Sequence, residues 1–265
     1  MLDRFNRKIN YLRISVTDKC NLRCTYCMPE EGVKHRKHDD FLSFEEIEKI
    51  VIESAKLGIN KIRLTGGEPL VKRGIEELVR KIAKVDGIET VAMTTNGILL
   101  PQKAKALKEA GLSSVNISFD SFDARKYEKI TRGGKLQDVL NGINSAIEEK
   151  ITVKINMVVT EETSNEEIAE MQKFCDEKKI KLQLINHYSL VSEKKDDYVF
   201  DRPPNCANCN RIRLLTDGSL KPCLHSNEEI KVDLKDINGS LLRTVWVKPE
   251  SGDSCTNRNM MEIGG

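Results

Sequence analysis

Short runs rich in β-branched and aliphatic residues alternate with amphipathic helical stretches along most of this chain, and that alternation limits the fold more than any other feature. Six segments have strand character: "YLRISVT" from Tyr11, "KIRLTG" from Lys61, "TVAMTTNG" from Thr90, "SSVNISFD" from Ser113, "ITVKINMVV" from Ile151 and "KLQLINHY" from Lys181. Between most of them the apolar residues recur at helical spacing. "SFEEIEKIVIESAKLG" opens with a capping box, Ser43 to Glu46, and stops at Gly58. A second box, Ser164 to Glu167, starts a helix that turns Ile168, Met171, Phe174 and Cys175 inward. Repeated strand–helix alternation implies a parallel sheet with right-handed crossovers. Both an open doubly wound sheet and a curved, barrel-like one fit. In either, chemistry collects at the carboxyl ends of the strands. The unusual residues follow the strands: a cysteine cluster after the first, "GGEP" after the second, Asn96-Gly97 after the third and Asp120 after the fourth.

The pattern breaks near Tyr188, where "VSEKKDDYVFDRPPN" reads as a linker. Beyond it, "RIRLLTDGSLKPCL" reads as a hairpin turning at Asp217-Gly218, and the last 40 or so residues have little periodicity. The final glycines are expected to be extended or mobile unless they dock. With 265 residues and 39% hydrophobic, the chain supports one sizeable core with a small appendix. Lys+Arg 43 against Asp+Glu 41 leaves +2, which argues against a general nucleic-acid or membrane binder. No long apolar run and no signal peptide are present, so a soluble, cytoplasmic protein is expected. Eight cysteines in that setting point to metal ligation rather than disulfides.

Cys20, Cys24 and Cys27 form C-x3-C-x2-C, an odd count. A structural zinc wants four ligands, and only His35 and His38 lie near enough in sequence to supply one. A 4Fe–4S cube held by three thiolates instead leaves one iron open to an exogenous ligand. "TGGEP" places glycines at a strand end, where backbone groups can meet a close ligand. Cys206, Cys209 and Cys223 form a second triplet, C-x2-C-x13-C. It is either a zinc ribbon completed by Cys255 or His225, or a second cluster with an open iron. Cys175 reads as a small core residue. Arg211 and Arg213 share a face of a strand-like run, as Lys61 and Arg63 do on the second strand. Arg13 and Lys154 add charge to the first and fifth strands. Cations along central strands are costly unless they reach a ligand, so together they suggest a polyphosphate, with an exposed basic strand edge as the alternative for Arg211 and Arg213.

The combination "LRISVTDKCNLRCTYCMP", "KIRLTGGEPL", "TTNG", "NISFDS", "VKINMVV", "CxxCNRIRLLTDGSLKPCL" and terminal "MMEIGG" resembles the GTP 3′,8-cyclase (molybdenum cofactor biosynthesis protein A) family of radical S-adenosylmethionine enzymes. The resemblance implies an incomplete (β/α)6 TIM-like barrel over residues 1–190 and a small auxiliary-cluster region over 191–265 with a Gly-Gly tail. It implies two 4Fe–4S clusters, held by Cys20, Cys24 and Cys27 and by Cys206, Cys209 and Cys223. It also implies S-adenosylmethionine bound by Tyr26, Gly66, Gly67, Glu68, Ser118 and Tyr188. GTP, or a related purine nucleotide, falls to Arg13, Lys61, Arg63, Thr94, Lys154, Arg211 and Arg213. Gly264, Gly265 and Arg213 fall on catalytic positions. The implied chemistry is reductive cleavage of the sulfonium, hydrogen abstraction from the ribose 3′ carbon and its joining to guanine C8, giving (8S)-3′,8-cyclo-7,8-dihydroguanosine 5′-triphosphate. An electron donor such as flavodoxin or ferredoxin, a downstream cyclic pyranopterin synthase and a homodimer belong to the same expectation.

Three departures stand out. Gln183 replaces a phosphate-binding arginine of the family pattern, and Tyr188 a methionine beside the adenine. The segment between the sixth strand and the second triplet is much shorter than the family's. The region after Cys223 is also shorter and lacks an obvious long helix. Two other functions stay open on the residues alone: a different twin-cluster radical enzyme acting on another nucleotide or a peptide, and a zinc-bearing non-catalytic module.

Overall fold

The computed structural model describes residues 1–30, 41–192, 199–200 and 205–264. His35, His38, most of the expected linker and Gly265 lie outside the described residues. Strand β1 (Tyr11–Ser15) begins a succession of α1 (Phe44–Lys56), β2 (Lys61–Thr65), α2 (Ile75–Ala83), β3 (Thr90–Thr95), α3 (Leu100–Glu109) and β4 (Ser114–Ser118). Two helices, α4 (Ala124–Thr131) and α5 (Leu136–Glu148), then lead to β5 (Thr152–Val159), α6 (Asn165–Glu177) and β6 (Lys181–Asn186). Both capping boxes form: the Ser43 hydroxyl accepts from Glu46 N, and the Ser164 hydroxyl from Glu167 N. Pro101 sits in the first turn of α3, where its missing N–H is harmless.

Strands β1 to β6 are parallel and adjacent in chain order, and β6 does not return to β1. The sheet is therefore an unclosed barrel. Along β1, Leu12 and Ile14 are fully buried beneath the helices, while Tyr11 and Arg13 face the interior cavity. The helix faces expected from periodicity are the ones buried: Ile47, Ile50 and Val51 on α1, and Ile75, Leu78, Val79 and Ile82 on α2.

The hairpin at Asp217-Gly218 forms between β7 (Arg211–Leu214) and β8 (Ser219–Lys221), followed by β9 (Ile230–Lys231). Strand β7 also runs parallel to β1, so the sheet passes without a break from barrel to C-terminal region. Asn210 sets that register: its carbonyl accepts from Asn10 N and Tyr11 N at 3.2 Å, and its side-chain amide donates to Asn10 Oδ1 at 2.9 Å. A small separate core of Leu190, Leu215, Leu224, Cys255 and Ile263 fills the C-terminal region.

The stretch after Cys223 is not aperiodic. It holds α7 (Ile237–Trp246), capped by Asp236 onto Gly239 N, and the short α8 (Met260–Ile263). Two of the five buried residues of α7 are Ser240 and Thr244, which weakens the hydrophobic pattern although Ile237, Leu241 and Val245 keep the spacing. No helix among the described residues is long and apolar enough to cross a membrane.

Candidate active site

Two cavities lie side by side, one at the carboxyl ends of the strands and the other along their middle and amino ends inside the curve of the sheet. They share a wall of Thr94, Asn156, Ile185 and Tyr188 and enclose about 1090 and 1070 Å³ including their mouths.

The first is lined by Cys20, Cys24, Cys27, Tyr26, Gly66, Gly67, Glu68 and Ser118. A tight turn after β1 brings the cysteines together: Cys27 N and Met28 N both donate to Cys24 O at 3.0 Å. The amides of this stretch are used within the protein: Gly66 N donates to Thr65 Oγ1 at 2.6 Å. Gly67 N donates to Thr17 O and Glu68 N to Lys19 O, each at 2.8 Å. A Cβ on Gly66 would meet Thr17 O, and one on Gly67 would meet Lys19 O, both at 2.3 Å. Only glycine lets the end of β2 press so closely against the cysteine loop. Glu68 is a brace. Its carboxylate accepts from Leu70 N, Thr95 Oγ1 and Asn96 N at 2.9, 2.8 and 2.7 Å, and burial pushes it up to about 7. Asp120 is a second buried carboxylate, pushed up by burial to about 6. It accepts from Tyr26 Oη at 2.7 Å and Val158 N at 2.8 Å.

Burial pushes all three thiols up, helped by Glu68 at Cys20 and by neighbouring thiols and Asp120 at Cys24 and Cys27, with Cys27 at about 12. Bare, they would stay protonated; a cationic centre is what can hold them as thiolates. No three Cys, His, Asp or Glu side chains among the described residues gather as a single metal ion requires. A cube takes each thiolate on its own iron, and all three thiols are free and line one cavity.

The second cavity collects the cations. Register places Arg13 opposite Arg63 on β2 and Arg213 on β7, while Tyr11, one repeat earlier, lies opposite Lys61 and Arg211. Like charges directly opposite destabilise a sheet, so this arrangement calls for an anion. Burial and the neighbouring guanidiniums press against the charge of Arg13 and Arg213. The Nε atoms of Arg211 and Arg213 are buried without a hydrogen-bond partner among the described residues. Arg63 is partly tied down, donating from Nε to Tyr11 Oη at 2.6 Å and from Nη1 to Met93 O at 3.0 Å. Burial would raise the Tyr11 phenol, but Arg63, Arg13 and Arg211 outweigh it and leave it at about 8. Lys154 and Gln183 complete the far side, and Thr94 borders both cavities.

Cys206, Cys209 and Cys223 line the same cavity as these cations. Against burial, the charges of Lys248 and Arg211 pull the Cys209 thiol down to about 7. Cys255 is packed in the small C-terminal core, its thiol 3.3 Å from Asn257 Oδ1, and does not line the cavity. His225 lines it and lies with its ring 5.3 Å from Tyr188. The tail docks rather than standing free: Gly264 O accepts from Arg13 Nη2 at 2.8 Å, and a Cβ there would meet Thr65 Oγ1 at 2.2 Å.

The fold thus brings every described candidate residue but Gly264 to the lining of one of two adjoining pockets, and Gly264 bonds to Arg13 of the second. It adds Tyr11, Asp120, Asn116, Asn156 and Lys248. Alternation could have found Tyr11 from Arg13, and Asn116 and Asn156 from Ser118 and Lys154. Nothing local marks Lys248.

Residues 14–175 match the radical SAM superfamily. A GTP 3′,8-cyclase of Alkaliphilus oremlandii is 41% identical over 320 residues, covering 100% of both chains, and one of Alkaliphilus metalliredigens is 38% identical with the same coverage. The 320 aligned positions exceed the 265 residues here, so these relatives carry stretches this chain lacks. Among solved structures, Streptococcus suis SuiB bound to S-adenosylmethionine superposes with TM-score 0.71 at 17% identity, over 93% of this chain and 66% of SuiB.

Proposed function

This chain belongs to the radical S-adenosylmethionine superfamily and, within it, to the GTP 3′,8-cyclase family, and from that premise we propose that it cyclises GTP to (8S)-3′,8-cyclo-7,8-dihydroguanosine 5′-triphosphate in molybdenum cofactor biosynthesis. Its cofactors are S-adenosylmethionine and an iron–sulfur cluster. When bound, the two supply an organic radical able to remove a hydrogen atom from the substrate. Cys20, Cys24 and Cys27 would hold that cluster through their thiolates, next to the pocket that would take S-adenosylmethionine. Gly66 to Glu68, Tyr26, Ser118 and Tyr188 seat S-adenosylmethionine, with Asp120 fixing the Tyr26 ring. The buried carboxylates of Glu68 and Asp120 favour a positively charged sulfonium in this pocket.

Arg13, Lys61, Arg63, Lys154, Arg211 and Arg213 bind the triphosphate, and Thr94 lies between nucleotide and radical source. Cys206, Cys209 and Cys223 hold a second 4Fe–4S cluster that takes the guanine. Gly264, held against Arg13, and Gly265 after it close the reacting groups from water and, with Arg213, help the cyclisation. Flavodoxin or ferredoxin as electron donor, a downstream cyclic pyranopterin synthase, a homodimer and a cytoplasmic setting belong to the same reading.

The observation that carries it is the row Arg63–Arg13–Arg213, which sets three like charges opposite one another on adjacent strands and opens beside the cysteine–glycine pocket. A peptide without acidic groups gives such a row nothing to bind. The test is an anaerobic incubation of reconstituted protein with S-adenosylmethionine, reductant and GTP, ATP or no nucleotide. Deoxyadenosine and a cyclised purine nucleotide are expected with GTP. Equal deoxyadenosine under all three conditions, with no cyclised product, would reject GTP as substrate.

A further inference from the structure

Lys248 immediately follows the turn that ends α7 and is only 1% exposed, yet no carboxylate among the described residues pairs with it. A buried ammonium needs a compensating negative charge nearby. Two of its three N–H groups go to backbone: Nζ donates to Arg211 O at 3.0 Å and to Pro222 O at 2.7 Å. Arg211 is two residues past Cys209, and Pro222 directly precedes Cys223, so one side chain pins both segments. Its charge acts on the Cys209 and Cys223 sulfurs that these two segments carry.

The residues after Lys248 continue around the same triplet. Gly252 N donates to Cys206 Sγ at 3.4 Å, and a Cβ on Gly252 would stand 3.1 Å from Cys223 Sγ. Arg7 locks the stretch from the other end of the chain, donating to Cys206 O and Glu250 O at 2.8 Å and to Pro249 O at 2.6 Å. Asp3 holds Arg7 in place through Nε at 2.6 Å. Residues 248–252 therefore touch or brace all three cysteines, and the group that fits an uncompensated ammonium is an anionic, thiolate-held centre.

We infer that Lys248 is the positioning residue of the second cysteine triplet: it fixes the segments bearing Cys209 and Cys223 and supplies the buried positive charge that raises the reduction potential of the centre they hold. A nearby cation favours the form that has gained an electron, and hydrogen bonds to cluster sulfurs act in the same sense. This rests on the reading that Cys206, Cys209 and Cys223 hold an iron–sulfur cluster.

The test uses full-length protein in two forms. In a Cys24→Ala protein, which leaves the second centre alone, iron and sulfide are counted and the midpoint potential is read by EPR-monitored redox titration, with Lys248 and with Lys248→Met. A Lys248→Met midpoint shifted to more negative potential is expected, and an unchanged midpoint would overturn the inference. Where Lys248→Met loads no second centre, the deciding sample is Lys248→Met with all cysteines intact. A first cluster at wild-type iron content that still binds S-adenosylmethionine supports positioning confined to the second triplet. Loss of both clusters makes Lys248 a general stability residue and overturns the inference. Absence of iron and sulfide from Cys24→Ala protein that retains Lys248 would instead overturn the second-cluster reading, and the inference with it.

Discussion

Around Cys20, Cys24 and Cys27 the charged neighbours are carboxylates, Glu68 acting on Cys20 and Asp120 on Cys24 and Cys27; around Cys209 and Cys223 they are cations, chiefly Lys248 with Arg211 and Arg213. Burial is common to both settings and raises the first three thiols and Cys223 alike, but at Cys209 the cations outweigh it and leave the thiol near 7. The two triplets share a chemistry and differ in field. A carboxylate-lined pocket suits a sulfonium; a guanidinium-lined one suits a polyphosphate. The pockets share only Thr94, Asn156, Ile185 and Tyr188, so two ligands of opposite charge can sit side by side without competing.

That contrast can be broken by substitutions whose effects should stay on one side of the wall. The largest effect is expected from Cys24→Ala: deoxyadenosine formation falls to background while GTP binding, measured by calorimetry, stays within about threefold of wild type. Loss of GTP binding as well would show that the pockets are not separate. Next comes Arg213→Ala. Truncating one partner of a buried charge pair costs about 2 kcal/mol or more, so GTP binding weakens on the order of 30-fold while S-adenosylmethionine binding is unchanged. Equal weakening of both ligands contradicts the division of labour.

A smaller effect is expected from Glu68→Gln, which leaves Asn96 N without a carboxylate and lowers stability by about 1–3 kcal/mol in denaturant unfolding. This variant also has a pH signature. Burial raises the folded carboxyl from its ordinary 4.5 to about 7, so the folded chain holds that proton more tightly than the unfolded chain. The corresponding stability is complete below about 4.5 and is lost as pH climbs to about 7. Glu68→Gln should flatten the fall in stability across that window; an unchanged slope would mean that Glu68 is ionised throughout. The smallest effect concerns the tail that bridges the two pockets. Gly264 has φ +73°, and its Cβ would collide with Thr65 Oγ1. Gly264→Ala should cut turnover about fivefold, from roughly 1 kcal/mol of strain, with GTP affinity nearly unchanged. A matching loss of affinity would make the tail a binding element instead.

Local motifs made most of the barrel legible. A capping box spans four residues and declares itself in sequence, as Ser43–Glu46 and Ser164–Glu167 do. The cysteine triplets and the glycines after β2 were equally plain, although the close approach to the cysteine loop that requires the glycines was not. What escaped depends on distant parts of the chain meeting. That β7 lies parallel to β1 is decided by Asn10 and Asn210, 200 residues apart. Tyr11 becomes part of the site only because β2 and β7 flank it with Lys61 and Arg211. Lys248 is one lysine among many until α7 delivers it beneath Cys209, and α7 was obscured by Ser240 and Thr244 on its buried face.

The central claim, two clusters each reserved for its own ligand, is tested most directly by EPR of reduced wild-type protein titrated separately with S-adenosylmethionine and with GTP. Two cluster signals are expected, with S-adenosylmethionine altering one and GTP the other. A single signal, or one signal that responds to both ligands while the other responds to neither, would contradict the account.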